Sequence, residues 1–207
     1  MNYLDVEKFH RANATRTPFE FVTVPAFISG EALCAVNRDF PKLDRAGNFP
    51  LDKLSYGRHF AAFVEQLKGD EFRLAVEEKF GMNLKGLKHL TTVRGLAELS
   101  DGNIHTDVPS KVVTALIYLN EKWDSTGGML RLLRDGKNLE DYIDEVPPIG
   151  GTLLMFKRSD KSWHGHKPFE GVRRTIQINW IDDSVNDAIH GIGKFGRRIK
   201  KALGLVE

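Results

Sequence analysis

The chain has 207 residues, 41% of them hydrophobic and 28% charged, with a formal net charge of +2. That is enough apolar material for one good core, so a single domain over residues 1–207 is expected, and a charge so balanced argues against nucleic acid as a partner. The single cysteine, Cys34, excludes an intramolecular disulfide; with an early-charged N-terminus and no membrane-length apolar run, it points to the cytoplasm.

In chain order, residues 19–24 (FEFVTV) alternate like a strand. Ser29 is placed to cap a helix through Leu33, Val36 and Phe40 that Pro41 stops. Residues 44–57 (DRAGNFPLDKLSYG) read as a loop, more readily a connector than a lid over substrate. Residues 59–68 and 71–80 carry helical spacing, with Gly69 and Gly81 at their ends and Asp70 placed to cap the second. Residues 1–86 thus form a helical and strand support packed on one face of a sheet. From residue 87 onward, short Val/Ile/Leu runs between Gly-rich turns indicate antiparallel β structure. The turn Asp101-Gly102-Asn103 precedes Ile104-His105, and strands are expected at 111–120 (KVVTALIYLN), after Gly150-Gly151, and at 172–181 (VRRTIQINWI). Residues 183–207 read as a basic amphipathic helix, with Ile192, Phe195, Ile199 and Leu203 as its stripe. Such a helix lies on an anionic membrane or polymer, or, more commonly, packs its stripe on the domain.

His105 and Asp107 are separated by one residue, which on a strand puts both side chains on one face. A further imidazole from 162–166 (SWHGH), His164 or His166, would complete two histidines and one carboxylate on one side of a metal. That set leaves the opposite coordination positions open, as in non-haem Fe(II) oxygenases. Along 172–181, Arg174, Ile176, Ile178 and Trp180 share one face; Arg173, Thr175, Gln177 and Asn179 share the other. An arginine heading the apolar row points into an enclosed space, where its charge is costly unless an anion meets it. A planar guanidinium grips a carboxylate through two parallel hydrogen bonds, which suits Arg174 to the distal end of 2-oxoglutarate. An ion pair with one of the chain's own acidic residues is the plainer alternative. His10, His59, His89 and His190 have no partner at ligand spacing and read as ordinary residues.

Residues 92–181 resemble the prolyl 4-hydroxylase-like branch of the Fe(II)/2-oxoglutarate-dependent oxygenase superfamily. The matching pieces are IHTD, VVTALIYLN with Trp123 after it, GGMLRLL, GGTLLMF and WHGHKPFEGVRRTIQINW. The resemblance implies His105, Asp107 and His164 as iron ligands. It implies a basic residue spaced as Arg174 is, ten positions after His164 and six before Trp180, and this register selects Arg174 over Arg173 and His164 over His166. Tyr118, before Leu-Asn, is implied as a second contact to the co-substrate carboxylate. The implied fold is mostly β with flanking helices (α+β), a double-stranded β-helix or jelly roll with helices on one face. The implied activity couples decarboxylation of 2-oxoglutarate to succinate with hydroxylation of a substrate: a peptidyl or free prolyl residue, a glycan or another small metabolite. Fe(II), 2-oxoglutarate and dioxygen are the implied cofactors, and ascorbate is compatible. A non-catalytic sensor or interaction module on the same jelly roll is the alternative.

Overall fold

The computed structural model describes residues 1–184. The basic segment expected at 183–207 therefore lies, from residue 185 on, outside the described residues. The helices are α1 (Val6–Arg11), α2 (Gly30–Arg38), α3 (Arg58–Lys68) and α4 (Asp70–Phe80). Glycines stand at both breaks: Gly69, in an extended conformation, separates α3 from α4, and Gly81 ends α4 in the left-handed conformation that its backbone freedom allows. The expected caps differ. Gly69, not Asp70, occupies the N-cap of α4, and Ser29 stands at the N-cap of α2 without a side-chain capping bond. Among the described residues no helix is long and apolar enough to cross a membrane.

The strands are β1 (Phe21–Val24), β2 (Phe49–Pro50), β3 (Lys88–Ala97), β4 (Lys111–Tyr118), β5 (Leu130–Leu133), β6 (Tyr142–Val146), β7 (Leu153–Lys157), β8 (His164–Gly165) and β9 (Gly171–Ile181). They form a six-stranded antiparallel sheet in the order β1-β7-β4-β9-β3-β2 and a three-stranded sheet in the order β6-β5-β8. This is the jelly-roll arrangement, mostly β with helices against one sheet. The stretch 44–57 is more structured than a connector, since β2 pairs with β3 at the sheet edge and Leu51 is buried beneath a short 3-10 turn.

Strand alternation divides the main sheet into two chemically different faces. On one side Val113, Ala115, Ile117, Met155, Ile176, Ile178 and Trp180 pack against Phe60, Phe63, Phe72 and Val76 of the helices. Each fully buried side chain of this kind contributes about 1.5–3 kcal/mol of transfer free energy. On the other side, Tyr118, Leu154 and Phe156 pack with Leu130, Leu132 and Val146 in a smaller cluster between the two sheets. Because β7 is covered on both faces, Leu153–Phe156 reads as an unbroken apolar run, whereas β4 is interrupted by Thr114 on its cavity side. Strand β9 is different: its second face is polar, and it lines the space between the sheets.

Gly151 joins the helical layer to β7. Its φ is +81°, and a Cβ there would stand 1.9 Å from the Ile28 carbonyl oxygen; the Ile28 amide donates to the Gly151 carbonyl at 3.1 Å. Only glycine permits so close a backbone approach.

Candidate metal centre and co-substrate cavity

A reciprocal backbone pair brings the two ends of the site together. The His105 amide donates to the His164 carbonyl at 3.0 Å, and the His164 amide to the His105 carbonyl at 2.9 Å. His105 is therefore held by a single bridge to β8 rather than by a strand of its own, and Asp107 follows in the loop leading to β4. One donor atom from each of His105, Asp107 and His164 lies within 4.8 Å of the others. Asp107 and His164 are buried, and His105 is exposed.

Each histidine is locked in one tautomer. His105 Nδ1 lies 2.8 Å from the Asn103 carbonyl and His164 Nδ1 lies 2.9 Å from the Ser162 carbonyl. A carbonyl only accepts, so both Nδ1 atoms carry the proton and both Nε2 atoms keep a lone pair for a metal. Burial, then the neighbouring His105, lowers the pKa of His164 to about 4, outweighing the opposing pull of Asp107. Burial would raise the pKa of Asp107, but Lys111 and Thr114 outweigh it and hold the carboxyl below its usual range. Lys111 Nζ donates to Asp107 Oδ1 at 2.7 Å, and Thr114 Oγ1 donates to Oδ2 at 2.5 Å. A neutral His164 and an ionised Asp107 are thus presented in the states that metal ligation needs, and the Nδ1 contact of His105 turns its Nε2 away from the Asn103 carbonyl.

These groups line a cavity of about 260 Å³ between the sheets, whose opposite wall is the polar row of β9: Arg173, Thr175, Gln177 and Asn179. Here the structure corrects the sequence reading. Arg174 does not face the cavity. Its guanidinium lies over the Phe40 ring, 5.3 Å from the centroid, in a groove on the outer side of the sheet. The apolar row that Arg174 heads is the helix-facing row, and the enclosed space between the sheets is walled by the polar row instead. Arg173 is the arginine in the site. It is 6% exposed, its Nε donates to the Gly128 carbonyl at 2.8 Å, and its guanidinium sits 5.4 Å from the centroid of the Tyr118 ring. No carboxylate of the described residues forms an ion pair with it, and burial lowers its pKa.

Tyr118 is fully buried behind the cavity, beside Arg173. Its Oη makes no well-formed hydrogen bond to any described group. Burial raises its pKa, and the charge of Arg173 only partly offsets this. Of the five site residues read from the sequence, the structure gathers His105, Asp107 and His164 in one cluster and sets Tyr118 behind the same cavity, while Arg174 lies apart.

His166 also lines the cavity. Its Nδ1 lies 2.8 Å from the Lys167 carbonyl, and burial, then Arg173, lowers its pKa to about 4. Gly102, at φ +96°, lets the loop before His105 close on it, because a Cβ there would fall 2.4 Å from His166 Nδ1. The remaining histidines of the described residues serve packing. His59 Nδ1 pairs with Tyr3 Oη at 2.8 Å, His10 approaches Glu78 at 3.5 Å, and His89 stands edge-on to Trp180. Lys111, Thr114, Arg94 and Asn48 are cavity residues that the sequence reading passed over. The signal for Thr114 was present, since it is the single aliphatic hydroxyl within KVVTALIY.

Residues 95–182 match the family model of the 2OG-Fe(II) oxygenase superfamily. That stretch, which carries His105, Asp107 and His164, is similar to a 2OG-Fe(II) oxygenase. The chain shares its fold with a Pseudomonas putida prolyl-4-hydroxylase, at 18% identity and a TM-score of 0.54 over 85% of this chain and 96% of the other. A Trichoplax adhaerens prolyl hydroxylase, in complex with a hypoxia-inducible-factor peptide fragment, aligns at 18% identity and 0.54 over 87% and 89%. HygX from Streptomyces hygroscopicus, with nickel and 2-oxoglutarate bound, aligns at 15% identity and 0.52 over 78% and 81%. No curated protein sequence matches the chain.

The chain's own residues fit the two groups that the superfamily's name specifies. Two imidazole lone pairs and one ionised carboxylate make a donor set for iron(II) with open positions. Deeper in the fold, a buried guanidinium without a counter-ion stands beside an unpartnered phenol, a pairing that calls for an anion.

Proposed function

We propose that the protein hydroxylates a C–H bond of a polar small molecule or peptide, with iron(II) held by His105, Asp107 and His164 and 2-oxoglutarate anchored by Arg173 and Tyr118. The observation that carries this reading is the uncompensated charge of Arg173 in the same cavity as the His105–Asp107–His164 cluster. With iron(II) bound, dioxygen would be the oxidant: 2-oxoglutarate would give two of its four electrons and leave as succinate and carbon dioxide, and the substrate C–H bond would give the other two as it is hydroxylated.

The protein's part is to orient and to exclude. The reciprocal His105–His164 backbone pair sets where both imidazoles start, and Thr114 orients the carboxylate. Arg173 and Tyr118 together offer the distal carboxylate of the co-substrate a charge and a hydroxyl donor. Leu130 and Phe156 line the dry side of the cavity, which suits an aliphatic dicarboxylate. On the open side, Asn48, Arg94, Thr92 and Gln177 present amides, a hydroxyl and a guanidinium, which favours a polar substrate. A free or peptidyl prolyl residue, a glycan or a similar hydroxylated metabolite meets that description; the peptide-bound prolyl hydroxylase of the same fold supports the peptidyl option. Ascorbate enters only as a reductant that keeps the iron divalent.

The test is anaerobic addition of Fe(II) and 2-oxoglutarate. A visible metal-to-ligand charge-transfer band is expected with the wild type and not with Asp107→Ala. An absent band, or one unchanged in that variant, overturns the reading. A screen of candidate substrates for stimulated succinate release then assigns the substrate.

A further inference from the structure

Lys111 opens β4 with its ammonium 2.7 Å from Asp107 Oδ1, and the two side chains are 18% and 6% exposed. A cation belonging to the protein therefore sits against the one anionic member of the His105–Asp107–His164 cluster. An ionised carboxylate so buried is costly without such a partner.

We propose that Lys111 is the resident counter-ion of the metal site: it neutralises Asp107 in the metal-free protein, opposes entry of a divalent cation, and turns toward the open cavity when the cation binds. This rests on reading the cluster as a metal site. Two observations distinguish it from a lysine that only holds Asp107 in place. The carboxylate is already oriented without Lys111, because Thr114 Oγ1, fixed in β4, donates to the other oxygen and Arg158 Nε donates to the Asp107 carbonyl at 3.2 Å. Lys111 also has somewhere to go, since it lines the cavity and carries a flexible stem with no fixed fork geometry. A monovalent and a divalent cation competing for one carboxylate in a partly dry site repel each other strongly.

The experiment is calorimetric titration of the full chain with Co(II) or Mn(II) near neutral pH, without 2-oxoglutarate or substrate. Removing the competing charge in Lys111→Met is expected to lower the metal Kd by about tenfold or more. Lys111→Arg, which keeps the charge, is expected to hold the wild-type value or weaken it. Metal-free Lys111→Met is expected to melt below metal-free wild type, because Asp107 loses its partner, while the metal-saturated proteins melt together. An equal or higher Kd in Lys111→Met overturns the proposal. Should that variant not fold, labelling of wild-type lysines with acetic anhydride decides: modification of Lys111 rises on adding Co(II) if the ammonium is released, and unchanged labelling overturns the proposal. The Asp107→Ala control separates the two levels, since Co(II) binding that survives there removes the metal-site reading itself.

Discussion

Arg173 and Arg174, neighbours in the chain, lie on opposite sides of the main sheet: one beside Tyr118 in the cavity, the other over Phe40 on the outer surface. A substitution at each position separates the two readings of the co-substrate anchor. Arg173→Ala is expected to weaken 2-oxoglutarate binding by about 2–4 kcal/mol, roughly 30- to 1000-fold, the range for truncating one partner of a buried charge pair. Arg174→Ala, as a surface change, is expected to stay within about threefold of wild type. Titration of the charge-transfer band with 2-oxoglutarate at saturating Fe(II) measures both.

Tyr118→Phe should have effects of opposite sign on the free and the bound protein. Its hydroxyl is buried and unpartnered, so its removal leaves the thermal midpoint of the ligand-free protein unchanged or raised. The co-substrate loses one hydrogen bond, so 2-oxoglutarate affinity falls by about 0.5–1.5 kcal/mol, roughly tenfold at most. A drop in stability without a change in affinity would mean that Tyr118 serves packing alone.

In the proposed site Thr114 would reach the metal only through Asp107, which makes it a positioning residue. Thr114→Val keeps the shape and deletes the donor; Co(II) affinity is expected to fall roughly 10- to 100-fold, as for other groups that orient a ligand. Thr114→Ser restores the donor and most of the affinity. Calorimetry without co-substrate reads this independently of turnover.

Gly151→Ala tests the junction of the helical layer with β7. The added methyl would collide with the Ile28 carbonyl oxygen, and φ is positive as well. The expected cost is on the order of 2–4 kcal/mol, a fall of roughly 5–15 °C in thermal midpoint for a chain of this size.

Glu77 gives the protein an acid-sensitive joint far from the cavity. Its Oε1 accepts from the Leu84 amide at 2.7 Å and from Arg73 Nη1 at 2.8 Å. The Leu84 amide, with Arg73 behind it, holds its pKa below the usual glutamate range against the effect of burial. A carboxyl depressed in the folded state adds stability that is complete above the unfolded glutamate value, about 4.3, and is lost as pH falls through the folded value. Glu77→Gln is therefore expected to melt below wild type at pH 7, and the two should converge in acid.

What could be read from the chain follows from which signals are local. Helices α3 and α4 were legible because Gly69 and Gly81 punctuate a 3.6-residue pattern. The pairing of His105 and Asp107 was legible because two candidate ligands fall within three residues; the register that chose His164 over His166 also chose Arg174 over Arg173, and the structure places His164 with the pair but Arg174 outside the cavity. Strand β2 was not, since two residues carry no periodicity and their pairing with Thr92 and Val93 is settled by distant sequence. The choice of arginine failed for a more general reason. Apolar rows were taken to face enclosed space, but this sheet has two enclosed sides, and the one that holds the site is polar where β9 crosses it. Ile176, Ile178 and Trp180 mark the helix layer; Thr175, Gln177 and Asn179 mark the cavity.

The mutual amide–carbonyl pair between His105 and His164 has a consequence for how the site fails. Both imidazoles hang from the same two-residue ladder at the edge of the small sheet, and each is turned inward by its Nδ1 contact with a nearby carbonyl. A metal held there finds its nitrogen donors already assembled and loses little entropy in gathering them. By the same token, heating does not peel the ligands off one at a time. Release of a bound ion and unzipping of β8 are therefore expected as a single cooperative event.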